Sequence, residues 1–302
     1  MVVQHEQSII KALAYFDIFS YPLTLDEIHH FLDQTVSRDD VLLTLQQLVD
    51  DNRVFRMGSF YSLQQDLSLR ARRTNGNHKA GILLTTGYKV GGFLYQFPFV
   101  RGIGISGSLS KNYADQNTDI DFFIITRANR LWLARTLMHL FKKLTFITGH
   151  QHLYCMNYYI DEEALCIDEQ NIFTATELIT LKPVCGNGTM DRFYDQNNWA
   201  GNYFPNQPVN KESIVLAKSG RFKRTVEWLL DNKIGNSLDN WLMRVTTRRW
   251  LKKEQLQKTN SHGIRMGLHT GKHFSKPNPE FFQRKVLDAL NKKLQTSQVV
   301  HS

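Results

Sequence analysis

The stretch GISGSLSKNYADQNTDIDFFIIT, residues 104–126, constrains this 302-residue chain more than any other. Its end, FFIIT, is a short apolar run that reads as a buried strand, and Asp119-Ile120-Asp121 stands at the head of that strand. Residues i and i+2 of a strand share a face, so both carboxylates project to the same side. Two carboxylates fixed side by side repel each other, and a divalent cation relieves that repulsion. Magnesium takes a few carboxylates plus phosphate oxygens, and a pair of ions can clamp both sides of a phosphoryl displacement. Upstream, a short β segment over Phe99–Val100 and Gly102–Ile105 runs into Ser106-Gly107-Ser108. Gly107 permits close backbone approach, and Ser108 with the neighbouring amides can hold a triphosphate.

The elements around this stretch alternate. NRLWLARTLMHLFKKLTF (129–146) has the spacing of an amphipathic helix, and HLYCMNYYI (152–160) reads as a strand. A helical pattern covers Ala80–Phe97, and another covers 171–183. The middle of the chain is therefore predicted to be α/β. Helices are expected around 213–232, 236–258 and 279–294, joined by a Gly/His-rich loop, so the C-terminal third is predicted to be all-α. The polar, basic run QQDLSLRARRTNGNHK (64–79) is taken as a boundary region. The predicted architecture is a multidomain α+β protein divided at 1–63, 64–210 and 211–302.

The N-terminal segment carries helix-start signals at Thr24, with Glu27 three residues on, and at Ser37. Three short helices followed by the hairpin-like RVFRMGSFYSL make a winged-helix pattern. Charge argues against DNA binding by this unit: residues 1–60 sum to −5, and phosphate contacts supply much of the affinity of a DNA reader. Residues 61–210 sum to +2 and residues 211–302 to +12, so an anionic partner, if there is one, is expected at the C-terminal third. A solvated helical surface is the other reading of that charge.

The order Gly-Ser, ten residues, then Asp-apolar-Asp-apolar resembles the signature of the DNA polymerase β-like nucleotidyltransferase superfamily, over roughly residues 80–185. The flanking winged-helix and helical segments are similar to those of a group of bacterial nucleotidyltransferase-like proteins. The resemblance implies transfer of a nucleoside monophosphate from an NTP to a hydroxyl acceptor, with release of pyrophosphate. It implies triphosphate contacts from Gly107 and Ser108, with Ser110 and Lys111 as further candidates, and two Mg2+ ions held by Asp119 and Asp121. The family places a third carboxylate on the next strand. There Cys155, Asn157, Tyr159 and Asp161 are expected on one face. Asp161 is the one acid but ends the strand, whereas Asn157 sits nearer the middle. With Asn157 in that position, the protein becomes a weak or inactive member of the fold, a nucleotide-binding or partner-docking module.

Other candidates are weaker. His262, His269 and His273 lie in SHGIRMGLHTGKHFSKP, where a surface loop competes with a phosphate-contacting loop and a metal pair at His269 and His273. The aromatics of DRFYDQNNWAGNYFPN (191–206) are read as inter-segment packing. The 42% apolar and 22% charged residues fit a folded chain. Three scattered cysteines, no read signal peptide and no apolar stretch of membrane-spanning length lead to the expectation of a cytoplasmic, soluble protein.

Overall fold

Capping and turn chemistry start the first elements where the sequence predicts them. The computed structural model describes residues 2–144, 154–186, 188–207, 219–257, 267–277 and 279–299. Thr24 and Glu27 close a capping box at the head of α2 (Leu25–His30). Ser37 accepts from the Asp40 amide at the head of α3 (Arg38–Asp50). Both helices pack with α1 (Val2–Asp17) around Leu13, Phe16, Ile28 and Leu45. Gly58, at φ +73°, turns the chain between β2 (Phe55–Met57) and β3 (Phe60–Ser62). The two-residue β1 (Leu23–Thr24) pairs with β3, giving a small antiparallel sheet in the order β1-β3-β2.

The polar run at 64–79 is not a boundary but largely the first half of a long helix, α4 (Ser68–Leu94). Its second half is the helical pattern read over Ala80–Phe97; its first half carries too few apolar residues to show a stripe, and glycines let the second half pack closely on the sheet. A Cβ at Gly87 would stand 2.9 Å from Ile105, and one at Gly91 would stand 2.9 Å from Val184. Buried Arg73 anchors the first half, donating to Glu27 at 2.6 Å with its guanidinium 3.8 Å from the Tyr21 ring centre.

The central sheet has six strands in the order β7-β4-β5-β6-β9-β8, mixed in direction. β4 (Val100–Ser106) runs antiparallel to β5 (Ile120–Thr126). α6 (Leu131–Leu144) then provides the crossover that lets β6 (Tyr154–Asp161) pair parallel to β5. Alternation along β5 gives the sheet two faces. Ile120, Phe122 and Ile124 bury one face with Trp132 and Met138 of α6. Phe123 and Ile125 bury the other with α7 (Ile172–Thr180) and α8 (Thr189–Gln196). Between those two helices, Lys182–Cys185 forms β7 rather than the tail of a helix.

The C-terminal third is not all-α. After α9 (Arg221–Leu230) and α10 (Lys233–Gln255), the glycine- and histidine-rich segment forms β8 (Leu268–Thr270) and β9 (Phe274–Pro277), and β9 adds to β6. The alternating LHT and FSKP runs are too short to stand out beside their glycines. α11 (Pro279–Val299) then returns to the N-terminal core, where Val286 and Leu290 are buried. The third segment thus completes two cores begun by the others. His269 lies on β8 and His273 in the turn before β9, while His262 falls outside the described residues. Phe193 and Phe204 are buried, and Phe204 meets Phe31 edge-on at 5.3 Å, as expected of packing aromatics. No helix among the described residues is long and apolar enough to cross a membrane.

Candidate active site

β-Sheet register assembles the site. Ser106, the last residue of β4, stands opposite Asp121, the second residue of β5. The chain must then leave the sheet without displacing that carboxylate. Gly107 does this at φ +71°, where a Cβ would lie 2.7 Å from Asp121 Oδ2. A side chain there would be strained by the backbone and would collide with the acid, so glycine is required on both counts. One helical turn, α5 (Gly107–Ser110), follows, with Ser108 exposed at its start.

The rest of the loop is braced from within. Ser110 is buried, and its hydroxyl donates to the Gly107 carbonyl at 2.8 Å and to Thr180 Oγ1 at 3.3 Å. It fixes the loop and does not face an incoming phosphate. Lys111 Nζ donates to the Gly107 carbonyl at 3.1 Å and pairs with Glu177 Oε1 at 2.7 Å. The Tyr21 hydroxyl donates to the Lys111 carbonyl, tying the loop to the N-terminal segment.

Asp121 carries the perturbation that marks the site. Burial, reinforced by the nearby charges of Asp119 and Glu177, pushes its carboxyl up to about 7, while Lys111 and Lys142 pull the other way. Asp119, just ahead of the strand, is exposed. Glu177 is the functional candidate that strand and loop motifs miss, because α7 brings it in by tertiary packing. The signal was there to read: it is the single charge in IFTATELITL, residues 172–181.

Asp161 does not join this group. β5 takes two residues from Asp121 to Phe123, whereas β6 takes three from Cys155 to Tyr158. This one-residue bulge breaks the alternation predicted for β6. Tyr158 falls on the Asp121 face, and Tyr159 and Asp161 turn to the opposite one. Asp161 pairs with Thr126, five positions along β5 from Asp121, which is roughly 16 Å of strand. There it is fully buried and accepts from His273 Nδ1 at 2.9 Å and from the amides of Asn129 and Glu163 at 2.9 and 3.0 Å. Asn157 lies within the bulge, and its side chain is outside the described residues. The residue in register with Asp121 on β6 is Cys155, a thiol.

A cavity of about 320 Å3 opens beside Asp121 and Gly107, between the sheet on one side and α7 and α11 on the other. Its walls include Phe123, Tyr158, Phe173, Leu178, Phe193 and Phe282. Lys276 and Glu169, which pair with each other, are charged groups on the wall away from Asp121.

Two carboxylates, Asp119 and Asp121, beside a glycine turn form a hard, all-oxygen donor pair, which suits Mg2+ completed by phosphate oxygens and water. The residues present therefore fit that ion. Among the described residues, no cluster of three or more Asp, Glu, His or Cys side chains forms a ready-made metal cage. The chain matches no protein-family model, no curated protein and no solved structure.

Proposed function

We propose that this protein is a magnesium-dependent nucleotidyltransferase, moving a nucleoside monophosphate from an NTP to a hydroxyl acceptor and releasing pyrophosphate. The observation that carries this reading is the approach of Gly107 to Asp121. A backbone turn followed by an exposed hydroxyl, Ser108, adjoins a carboxylate whose charge is disfavoured without a cation. Asp119 and Asp121 would hold Mg2+, which supplies charge neutralisation of the triphosphate when bound. Lys111 holds the loop and offsets Glu177, so it acts on the site's charge more than as a free phosphate contact. In the transfer, the acceptor oxygen bonds to the α-phosphorus as the bond to the pyrophosphate oxygen breaks. The hydroxyl proton leaves to water at the exposed Asp119 side. Catalysis of this kind is mostly positioning and electrostatics.

The N-terminal three helices with their small sheet fit a winged-helix-like unit, and their acidity suits a packing or protein-contact role better than DNA. One observation favours a second reading, a weak or inactive nucleotide-binding module: the position beside Asp121 on β6 is held by Cys155 instead of an acid. One experiment separates them. Each of the four NTPs is tested for Mg2+-dependent binding and pyrophosphate release, with Asp119→Asn/Asp121→Asn as the control. The transferase reading expects both in the wild type and at least about a hundredfold loss of turnover in the mutant. Binding without turnover across acceptor panels supports the second reading. Full turnover in the mutant sinks the site assignment.

A further inference from the structure

The cavity beside Asp121 is built for a molecule quite unlike nucleic acid. Carbon dominates its walls, with Phe123 packed on Tyr158 at 5.2 Å and on Phe193 at 4.9 Å, and Leu178 buried between the helix and the sheet. At the α11 side, Phe282 packs on Phe173 at 5.9 Å while remaining 58% exposed, an apolar ring at the mouth that a bound molecule would cover. The charges on the walls are largely spent. Glu177 is paired with Lys111 and Glu169 with Lys276, which leaves Asp121 as the ionisable group without an ion-pair partner at the end where Ser106 and the Gly107 turn lie. Lys276 is the basic group that the strongly basic C-terminal third contributes to this wall among the described residues, and it is already neutralised.

Each ligand class meets this cavity differently. An anion would bring its charge to a mostly apolar wall beside the Asp121 carboxyl and the paired Glu177, at a large desolvation cost. A nucleobase would bury several donors and acceptors against walls that are mostly carbon and offer few uncharged partners, among them Tyr158, Thr174 and Gln283. An apolar body with a single hydroxyl loses little on entry and directs its polar end to the Asp121 side. A volume of about 320 Å3 falls in the range of small-molecule sites.

We infer that this cavity is the acceptor site and that the acceptor is a small, uncharged, apolar alcohol. The inference rests on the nucleotidyltransferase reading for the acceptor role, and it replaces the expectation of an anionic acceptor at the basic C-terminal third.

The test uses the full chain and three probes: 2-(2-naphthyl)ethanol, the anion 2-naphthylacetate, and adenosine. Naphthyl fluorescence and calorimetry measure binding with and without Mg2+-ATP. The expected result is saturable one-to-one binding of the alcohol, at least tenfold tighter than either competitor. Leu178→Trp, which fills the cavity, should weaken it at least tenfold. Phe282→Ala, at an exposed position that does not threaten folding, should weaken it about threefold. Tighter binding of naphthylacetate or adenosine overturns the proposal, as does binding of the alcohol that neither variant changes. A second arm follows label from [α-32P]ATP onto the alcohol. If Mg2+-ATP binds but the alcohol does not, the acceptor proposal fails alone. If the alcohol binds but Mg2+-ATP does not, the transferase reading fails and takes the acceptor role with it.

Discussion

The two faces of the central sheet each carry a carboxylate, fully buried at Asp161 and partly buried at Asp121, and the sheet treats them in opposite ways. Asp161 is surrounded by donors: two backbone amides and the His273 ring, with burial still holding its carboxyl above the ordinary range. Asp121 has acids for neighbours and a glycine pressed against its oxygen. A satisfied buried acid stabilises the fold, here by tying β6 to the β9 turn. One whose charge is disfavoured costs stability in the free protein, and in a cleft such a cost makes a residue a functional-site candidate. Residue type is the same in the two cases, although Asp121 heads β5 and Asp161 ends β6. What differs is the company each acid keeps.

The largest expected effect falls on the satisfied acid. Asp161→Ala leaves two amides and a histidine without their acceptor and should destabilise the fold by about 3–5 kcal/mol, read by urea unfolding. A loss well under 1 kcal/mol would break the comparison. The opposite sign is expected on the other face. Asp121→Asn removes a disfavoured charge and should raise stability at pH 8 by about 1–3 kcal/mol, although it abolishes Mg2+ binding.

The pH dependence sharpens this contrast. Because the folded-state pKa of Asp121 is raised from 3.8 to about 7, the native protein binds more protons than the unfolded chain between those values. That contribution makes stability fall as pH rises through the window and level off above it, and the slope should be missing in Asp121→Asn. Equal slopes in the two proteins would show that Asp121 is not the group responsible. The smallest effect belongs to Glu177→Gln. Removing one of the charges that raise Asp121 should bring its carboxyl back toward the ordinary range and stabilise the protein by less than about 1 kcal/mol, since Lys111 loses its partner at the same time. A rise in the Asp121 pKa, followed by carbonyl NMR, would contradict the assigned geometry.

Much of the sheet was legible because its signals are local. IDFFIIT reads as a strand from its own apolar run, LWLARTLMHLFKKL as a helix from its period, and the caps at Thr24 and Ser37 from their chemistry. The bulge in β6 was not legible. One extra residue between Cys155 and Tyr158 leaves the run just as apolar, yet it moves Asp161 to the other face. The β8–β9 hairpin was hidden by glycines beside very short strands. The second half of α4 was legible over Ala80–Phe97, and its first half was hidden because residues 68–79 are polar and basic, with Leu69 and Ala71 the apolar side chains among them. Of the site, the Gly107 turn and the Asp119/Asp121 pair are readable at fixed spacing, whereas Glu177 arrives from a helix more than fifty residues away in sequence, and only its isolation among apolar neighbours hints at it.

The return of α11 to the N-terminal core has a consequence for how the protein is made. Val286 and Leu290 complete a core whose helices α1 to α3 are translated more than two hundred residues earlier. At roughly 5–20 residues per second, α1 to α3 wait tens of seconds for the side chains that close their core. Until α11 is translated, the core of α1 to α3 lacks two of its buried side chains, and part of its apolar surface stays uncovered.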